Sequence, residues 1–365
     1  MFLIVTRTYP PDVGGMQSLM GGLSESLLDH GPVKVITYEY PNSNIYDNKS
    51  SINIERVKGI KIFRKFRKAN LANNFISENP NIRALIADHW KSLELIKAEY
   101  FKKIKTFCLL HSKEINHEVG SSLNKRLIRS TNNADYIIAN SNFTKELAIK
   151  VGIDKSKINI IFPGIQRPKK IENILKIKAE KIFEDSFPKI ITVARLDKRK
   201  GHDKILMLIK NLKIKFPKIK YVSIGLGKEE DNLLKLTKEL DIEKEVIFLK
   251  NIDSDLKMAL ITQANLFLMP SRIEKKSVEG FGISFMEAAS CGVGSIGGKD
   301  GGASDAIVNN KTGLICDGND LNSIYDSVVN FFSNENFIKF GKNAQEFSKK
   351  FHWDKVVKNY IKLIN

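Results

Sequence analysis

The chain has 365 residues, 42% hydrophobic and 27% charged, with a formal net charge of +18. That length suits two domains of about 100–200 residues, and the composition excludes a disordered or fibrous chain. Cys108, Cys291 and Cys316 lie in apolar stretches without paired spacing, which excludes a disulfide framework and fits a reducing cytoplasm.

In chain order, the first segment is "FLIVTRTYPPDVGGMQSLMGGLSESLLDHG". An apolar strand at 2–6 leads into a Pro/Gly loop, then into helical spacing at Met16, Leu19, Met20, Leu23 and Leu27. The opening apolar run is too short for a signal peptide, and no stretch approaches the roughly 18 apolar residues that span a membrane. Residues 55–68, "ERVKGIKIFRKFRK", carry seven Lys/Arg against one Glu, interleaved with Ile62, Phe63 and Phe66. A second basic stretch, "LNKRLIRS" at 123–130, reads as a helix with Lys125, Arg126 and Arg129. Basic residues mixed with aromatics suit an anionic interface; the charge also fits the Lys-, Ile- and Asn-rich composition of a low-GC genome.

Short apolar strands recur in "VKVIT", "TFCLLH", "DYIIAN" and "INIIF", alternating with helical segments, so a parallel sheet is expected. Residues 164–188 lose the strand period, end in Pro188 and read as the join. A second strand–loop–helix unit follows in "KIITVARLDKRKGHDKILMLIKNLKIKFP", then strands in "KYVSIG", "EVIFL", "LFLMP" and "VGSIGG". The last segment, "FHWDKVVKNYIKLIN", is amphipathic and is expected to pack back across the first domain.

The stretch with most chemistry is "VEGFGISFMEA", which sets Glu279 and Glu287 on either side of a Gly-Phe-Gly turn. Glycosidase carboxylates lie about 5–9.5 Å apart, whereas eight residues of helix rise about 12 Å. The two glutamates therefore read as handles for different parts of one long ligand. Gly280 and Gly282 let backbone approach that ligand, and the helix they open presents unpaired N–H groups. Gly14 and Gly15 form a similar turn before the first helix. Arg195 and Lys200, just past a strand in "ARLDKRKGHD", suit a diphosphate.

Three competing patterns are weaker. Asp253 and Asp255 in "DSD" spell a metal motif, but they precede a helical run and read better as a helix N-cap. "GVGSIGGKD" has the wrong spacing for a Walker loop, with Asp300 where Ser or Thr is needed. "GLGKEE" lacks the third glycine of a dinucleotide site, and no RNA-binding signature accompanies the basic residues.

Read in order, "YPPDVGGMQSL", "LLHSKEI", "ANSNFTKEL", "VARLDKRKGHDKI", "MPSRIEKKSVEGFGISFMEAASCGVGSIGGKDGGASDAI" and "NKTGLICDGND" make the chain resemble the GT-B glycosyltransferases of family 4 over nearly its whole length. These are retaining enzymes that use nucleotide sugars, and the likeness is to the bacterial phosphatidylinositol mannoside type. The resemblance implies an α/β GT-B architecture of two Rossmann-like domains facing across a cleft. It implies an acceptor domain at 1–168, a donor domain at 186–348, and a C-terminal helix at 349–365 crossing back. It makes Glu279 the carboxylate on the donor sugar's hydroxyls, Glu287 the ribose ligand, and Arg195 with Lys200 the diphosphate ligands. Backbone at Gly14–Gly15 and at Phe281, Gly282 and Ile283 completes those contacts. Leu249 to Asp255 reads the base, and His111 sits beside the sugar on the acceptor side. The donor implied is of the UDP-glucose, UDP-glucuronate or GDP-mannose type, with no metal and no further cofactor. The acceptor implied is a lipid, diacylglycerol or a phosphoinositol lipid, at the inner face of the cell membrane, with no nucleic-acid partner. A soluble or polysaccharide-precursor acceptor, or a nucleotide-sugar epimerase of the same fold, stays open. Three positions depart from the pattern: "HSKE" for His-Gly-x-Glu, Gln166 for Asp, and Gly294 for Pro.

Overall fold

Strands flanked by helices in sequence must be buried on both faces, which favours near-continuous apolar runs in parallel register. The computed structural model, which describes residues 1–365, has two such sheets. The chain divides into one unit of Met1–Gln166 with Phe351–Asn365, and a second of Arg167–Lys350.

The first unit holds β1 (Phe2–Val5), β2 (Val33–Tyr38), β3 (Asn53–Val57), β4 (Ala84–Ala87), β5 (Lys105–Leu110), β6 (Tyr136–Ala139) and β7 (Ile158–Ile160). Their order across the sheet is β3-β2-β1-β4-β5-β6-β7, all parallel. The four residues of β1 are fully buried at its centre. The second unit holds β8 (Lys189–Val193), β9 (Lys220–Ile224), β10 (Val246–Leu249), β11 (Leu266–Met269), β12 (Ser295–Gly298) and β13 (Gly313–Cys316). Their order is β10-β9-β8-β11-β12-β13, again all parallel. Strand order reverses between β1 and β4 and between β8 and β11. At such switch points the flanking loops diverge and leave a crevice for ligands beyond the carboxyl ends of the strands.

The sequence boundaries at 168, 186 and 348 compare with contact boundaries after Gln166 and Lys350; the helix Asn173–Phe183 lies in the second unit. The C-terminal helix Trp353–Ile364 buries Trp353, Val356, Val357 and Tyr360 in the first unit. A Cβ at Gly22 or Gly164 would come within 2.0 or 2.4 Å of the Trp353 ring, so these glycines leave the space the indole occupies.

The glycine patterns of the second unit serve close packing. A Cβ on Gly302 would meet the Gly280 carbonyl oxygen at 2.0 Å, and one on Gly227 the Leu196 carbonyl oxygen at 2.1 Å. "GGKDGG" therefore lets one loop lie against the Glu279 turn, and "GLG" lets another lie against the loop after β8. In "DSD", the Asp253 carboxylate accepts from the Leu256 amide at 2.7 Å, capping the helix Ser254–Gln263.

Candidate active site

In the second unit the loops after β8 and β11 meet at the switch point. The β8 loop carries Arg195, a tight turn at Lys198–Lys200, and Gly201 at φ 79 opening the helix His202–Lys215. The β11 loop runs through Ser271 and Arg272 to Glu279 and the helix Ile283–Ser290. Two contacts of Arg272 tie them. Its amide donates to the Arg199 carbonyl at 2.9 Å, and its guanidinium forks onto Asp203 at 3.0 and 2.9 Å.

Glu279 is the centre of this arrangement. One carboxylate oxygen accepts from Arg199 Nη1 at 2.9 Å and from Lys200 Nζ, and all three residues are buried. Burial alone would raise the Glu279 pKa, but the Lys200 and Arg199 charges prevail and hold it down to about 2. The resemblance implies separate tasks for Glu279 and Lys200; here they form one ion pair. A carboxylate this buried needs cationic partners, and these two are on the adjoining loop.

That pairing makes a pH prediction. Glu279 has a folded pKa below its ordinary value, so its stabilisation is full above about pH 4.5 and lost as pH falls towards 2. The shift corresponds to about 3 kcal/mol. Acid unfolding followed by circular dichroism should show the second unit losing stability across that window. Glu279→Gln should flatten this part of the profile; an unchanged profile would mean the pair carries no such linkage.

The other predicted residues surround this centre differently. Arg195 is open, its side chain 69% exposed and 3.5 Å from Asp197. Its carbonyl is met by His202 Nε2 at 3.3 Å, and His202 Nδ1 lies 3.1 Å from the Tyr221 hydroxyl. Burial lowers His202 to about 4, so a neutral ring supports the Arg195 backbone. Glu287 lies within the helix Ile283–Ser290 and pairs with Lys257 at 2.8 Å. Phe281 is buried, and Gly282 adopts φ 84, which favours glycine. The first turn after Gly282, beginning at Ile283, has no acidic residue and no side-chain cap, leaving amide donors for an anion. Leu249 ends β10 half-buried, its carbonyl accepting from the Gly225 amide at 3.0 Å.

In the first unit, His111 follows β5. Its Nε2 donates to the Asp88 carbonyl at 2.9 Å, which fixes the proton there and leaves Nδ1 an acceptor in the neutral ring. The "HSKE" departure is legible in the backbone. Ser112 stands at φ 90, where the related pattern has glycine, and is held by a 2.8 Å hydrogen bond to the Thr144 hydroxyl. Glu114 reaches back to the His111 amide at 2.5 Å. Gly14 caps the helix Gly15–Leu27 in extended conformation, again with no side-chain cap and no acid in the first turn.

Thus Glu279 and Lys200 share one cluster in the second unit, while in the first His111 follows β5 and Gly14–Gly15 open the helix Gly15–Leu27. Sequence reasoning missed Arg199, His202, Arg272 and Asp88. Arg199 carried no signal of its own, being the middle of three adjacent cations at 198–200.

Residues 13–167 match the family described as Glycosyltransferase Family 4, and residues 173–350 the family described as Glycosyl transferases group 1. The chain is 24% identical over 346 residues to the GDP-mannose-dependent alpha-(1-6)-phosphatidylinositol monomannoside mannosyltransferase of Mycolicibacterium smegmatis, covering 89% of this chain and 87% of the relative. It is 27% identical over 391 residues to the N-acetyl-alpha-D-glucosaminyl L-malate synthase of Bacillus anthracis, covering 99% and 96%. Among solved structures, Anabaena HepE in complex with UDP superposes with a TM-score of 0.82 at 16% identity, over 99% of both chains.

Proposed function

Because the chain is a GT-B glycosyltransferase, joining a family 4 domain to a group 1 domain, we propose that it moves a hexose, with retention, from a nucleotide diphosphate sugar to a lipid at an anionic membrane surface. The observation that carries this is the buried Glu279–Lys200–Arg199 cluster at the β8/β11 switch point, beside the open amides of the helix Ile283–Ser290. Relatives named as GDP-mannose-dependent mannosyltransferases and a neighbour solved with UDP support a nucleotide-sugar donor.

In this reading Glu279 grips the sugar's hydroxyls, Glu287 the ribose, and Leu249 to Asp255 the base. Arg195, Lys200 and the amides at Phe281–Ile283 offer donors to the diphosphate. The bond from the sugar's anomeric carbon to the diphosphate breaks, and the acceptor oxygen bonds to that carbon on the same face. The acceptor's proton passes to the departing phosphate oxygen. The main requirement is positive field at the leaving group; His111 Nδ1 orients a hydroxyl on the acceptor side.

Arg195, Lys200 and helix N-termini already supply that field, so we expect full activity in EDTA. Loss of activity in EDTA, restored by Mg²⁺ or Mn²⁺, would overturn the metal-free scheme.

The lipid part rests on the relatives and on the first unit's surface. Ile60, Ile62, Phe63 and Phe66 are 67%, 75%, 55% and 46% exposed, among exposed Lys58, Lys61, Lys65 and Arg67. Lys125 and Arg129 on the helix Ser122–Asn132 are exposed as well. Two of the seven basic residues at 55–68 do not belong to this face. Lys68 is buried, and Arg56 forks onto Asp47 at 2.7 and 2.8 Å. No helix is long and apolar enough to cross a membrane, so attachment is peripheral in this reading.

The test is a thermal-shift panel of UDP-, GDP- and ADP-sugars. The stabilising donor is then incubated with membrane lipids and the products identified by mass spectrometry. A glycolipid product establishes the reading. Transfer to water-soluble acceptors alone, or turnover of the donor without any acceptor, would replace it with a soluble transferase or an epimerase.

A further inference from the structure

We propose that a cavity between the end of β3 and the helix Arg64–Glu78 binds the headgroup of one anionic phospholipid that carries hydroxyls. This rests on the membrane part of the reading above and sharpens it. The surface selects a headgroup as well as a charge, at a place separate from the acceptor side.

The cavity has a volume of about 390 Å³, within the range of small-molecule sites, about 300–1,000 Å³. On the helix side it is lined by Arg67, Asn70, Leu71 and Asn74, whose spacing puts all four on one face. On the strand side it is lined by Arg56, Val57 and Lys58. The buried face of the helix is pinned. Lys68 Nζ donates to Ser92 Oγ at 2.9 Å and to the Thr6 carbonyl at 3.1 Å. Ser92 in turn donates to the Asp88 carboxylate at 2.8 Å, which also accepts from the Arg7 amide at 2.9 Å at the β1/β4 switch point. The lining stripe is therefore in place before a ligand arrives.

No carboxylate lines the cavity, and its three cations are not equally free. Asp47 takes Arg56 at 2.7 and 2.8 Å, and the remaining Arg56 contacts reach the Tyr38 and Pro10 carbonyls, so Arg56 is a neutralised wall. Glu39 stands 3.7 Å from Lys58 with both side chains exposed, a loose pair of little worth. Arg67 has no carboxylate partner. Its one hydrogen bond runs from Nη2 to the Ile60 carbonyl at 3.0 Å. The guanidinium lies against Gly59, where a Cβ would come within 2.6 Å of Nη1. Nε and Nη1 keep their hydrogens for an anion. The Asn70 and Asn74 carboxamides have no partner in the protein, and each offers a donor and an acceptor.

A guanidinium with free donors suits a phosphate diester, and paired carboxamides suit the hydroxyls of a polyol. An amino headgroup fits worse, because its ammonium would meet Lys58 and Arg67. The lipid source follows from what borders the cavity. Gly59, also in its lining, leads directly into the exposed Ile60, Ile62 and Phe63. Acyl chains that stay in the bilayer beside these residues leave their headgroup at the cavity. This is not the acceptor side: β3 is an edge strand, and three strands separate it from β5, which His111 follows. At about 4.8 Å per strand the two lie about 19 Å apart.

The experiment measures binding of the full chain, without donor, to phosphatidylcholine vesicles carrying phosphatidylglycerol or phosphatidylserine. At equal mole fraction the two bring the same net charge. Wild type should bind the phosphatidylglycerol vesicles about tenfold tighter, as one charge-assisted contact allows. Asn70→Asp and Asn74→Asp keep the side-chain size and put a carboxylate in the cavity, so each should bring the two vesicles within about twofold. Lys65→Gln, outside the cavity, removes the same unit of charge. It should lower binding to both about fivefold and keep the preference.

Equal binding of wild type to both vesicles, or a preference that survives both Asp substitutions, would overturn the site and leave the lipid transferase standing. Glycerol 3-phosphate binding as tightly as the vesicle lipid would assign the cavity to a soluble ester and overturn the headgroup. A preference lost in the Asp variants, from a protein that makes no glycolipid, would support the site and remove the lipid acceptor.

Discussion

Glu279→Ala is expected to lower transfer by about three orders of magnitude or more, and to weaken the second unit while leaving it folded. A carboxylate on sugar hydroxyls acts by positioning, and the loss of that geometry can add several kcal/mol to the barrier. The stability effect follows from its partners. Arg199 and Lys200 are buried and share one Glu279 oxygen, so removing the carboxylate leaves two cations uncompensated. Breaking a buried pair from one side costs about 3–5 kcal/mol. A nucleoside diphosphate restores negative charge near Lys200, so it should raise the Tm of Glu279→Ala more than that of wild type. Glu279→Gln keeps the shape, loses the charge, and should fall between the two in Tm. Single-turnover rates and thermal shifts with and without nucleotide measure both parts. Turnover like wild type would remove Glu279 from the site, and equal nucleotide shifts would show that the cluster does not sense diphosphate charge.

Much of this site was legible because its parts follow from local rules. Alternating apolar runs and helical spacing define parallel sheets, and ligand loops then fall at strand ends. The eight-residue separation of Glu279 and Glu287 excluded a shared bond, and the structure sets one in a turn and the other within the helix Ile283–Ser290. What escaped was the direction of side chains in basic runs. In "DKRKGHD" the tight turn sends Arg199 and Lys200 inward and leaves Lys198 exposed; composition cannot separate three adjacent cations. Lys68 misled in the opposite sense. It lies beside Ala69, Ala72 and Ile76 on the buried stripe of the helix Arg64–Glu78, so period 3.6 would have placed it inside had its charge been ignored. The switch-point network through Asp88 joins residues from four separate segments. Its members are far apart in sequence, and only sheet order brings them together.

Reversing Lys58, Lys61 and Lys65 to Glu is expected to cut binding to anionic vesicles by at least about a hundredfold, with little change on neutral ones. Each basic residue near an anionic surface contributes about 1 kcal/mol, so loss of three already gives that factor and reversal adds repulsion. The choice of residues comes from the structure. Arg64 Nε donates to the Gly59 carbonyl at 2.8 Å and Arg67 Nη2 to the Ile60 carbonyl at 3.0 Å, so both hold the loop that presents Ile60 and Ile62. Lys68 is buried on Ser92 and the Thr6 carbonyl, and reversing it would damage the switch point. Lys58, Lys61 and Lys65 are exposed and make no such contacts; Lys58 has only a loose partner, Glu39 at 3.7 Å. The apolar share is separable: Phe63→Ser with Phe66→Ser should weaken binding to both vesicle types, because insertion of a ring does not depend on headgroup charge. Raising salt should erase the difference between wild type and the reversed variant, since exposed charges are screened over about 10 Å at 0.1 M. Activity on a dispersed acceptor should survive reversal while activity on vesicles falls with binding. Equal binding of wild type to neutral and anionic vesicles would show that the basic surface reflects composition and not a membrane.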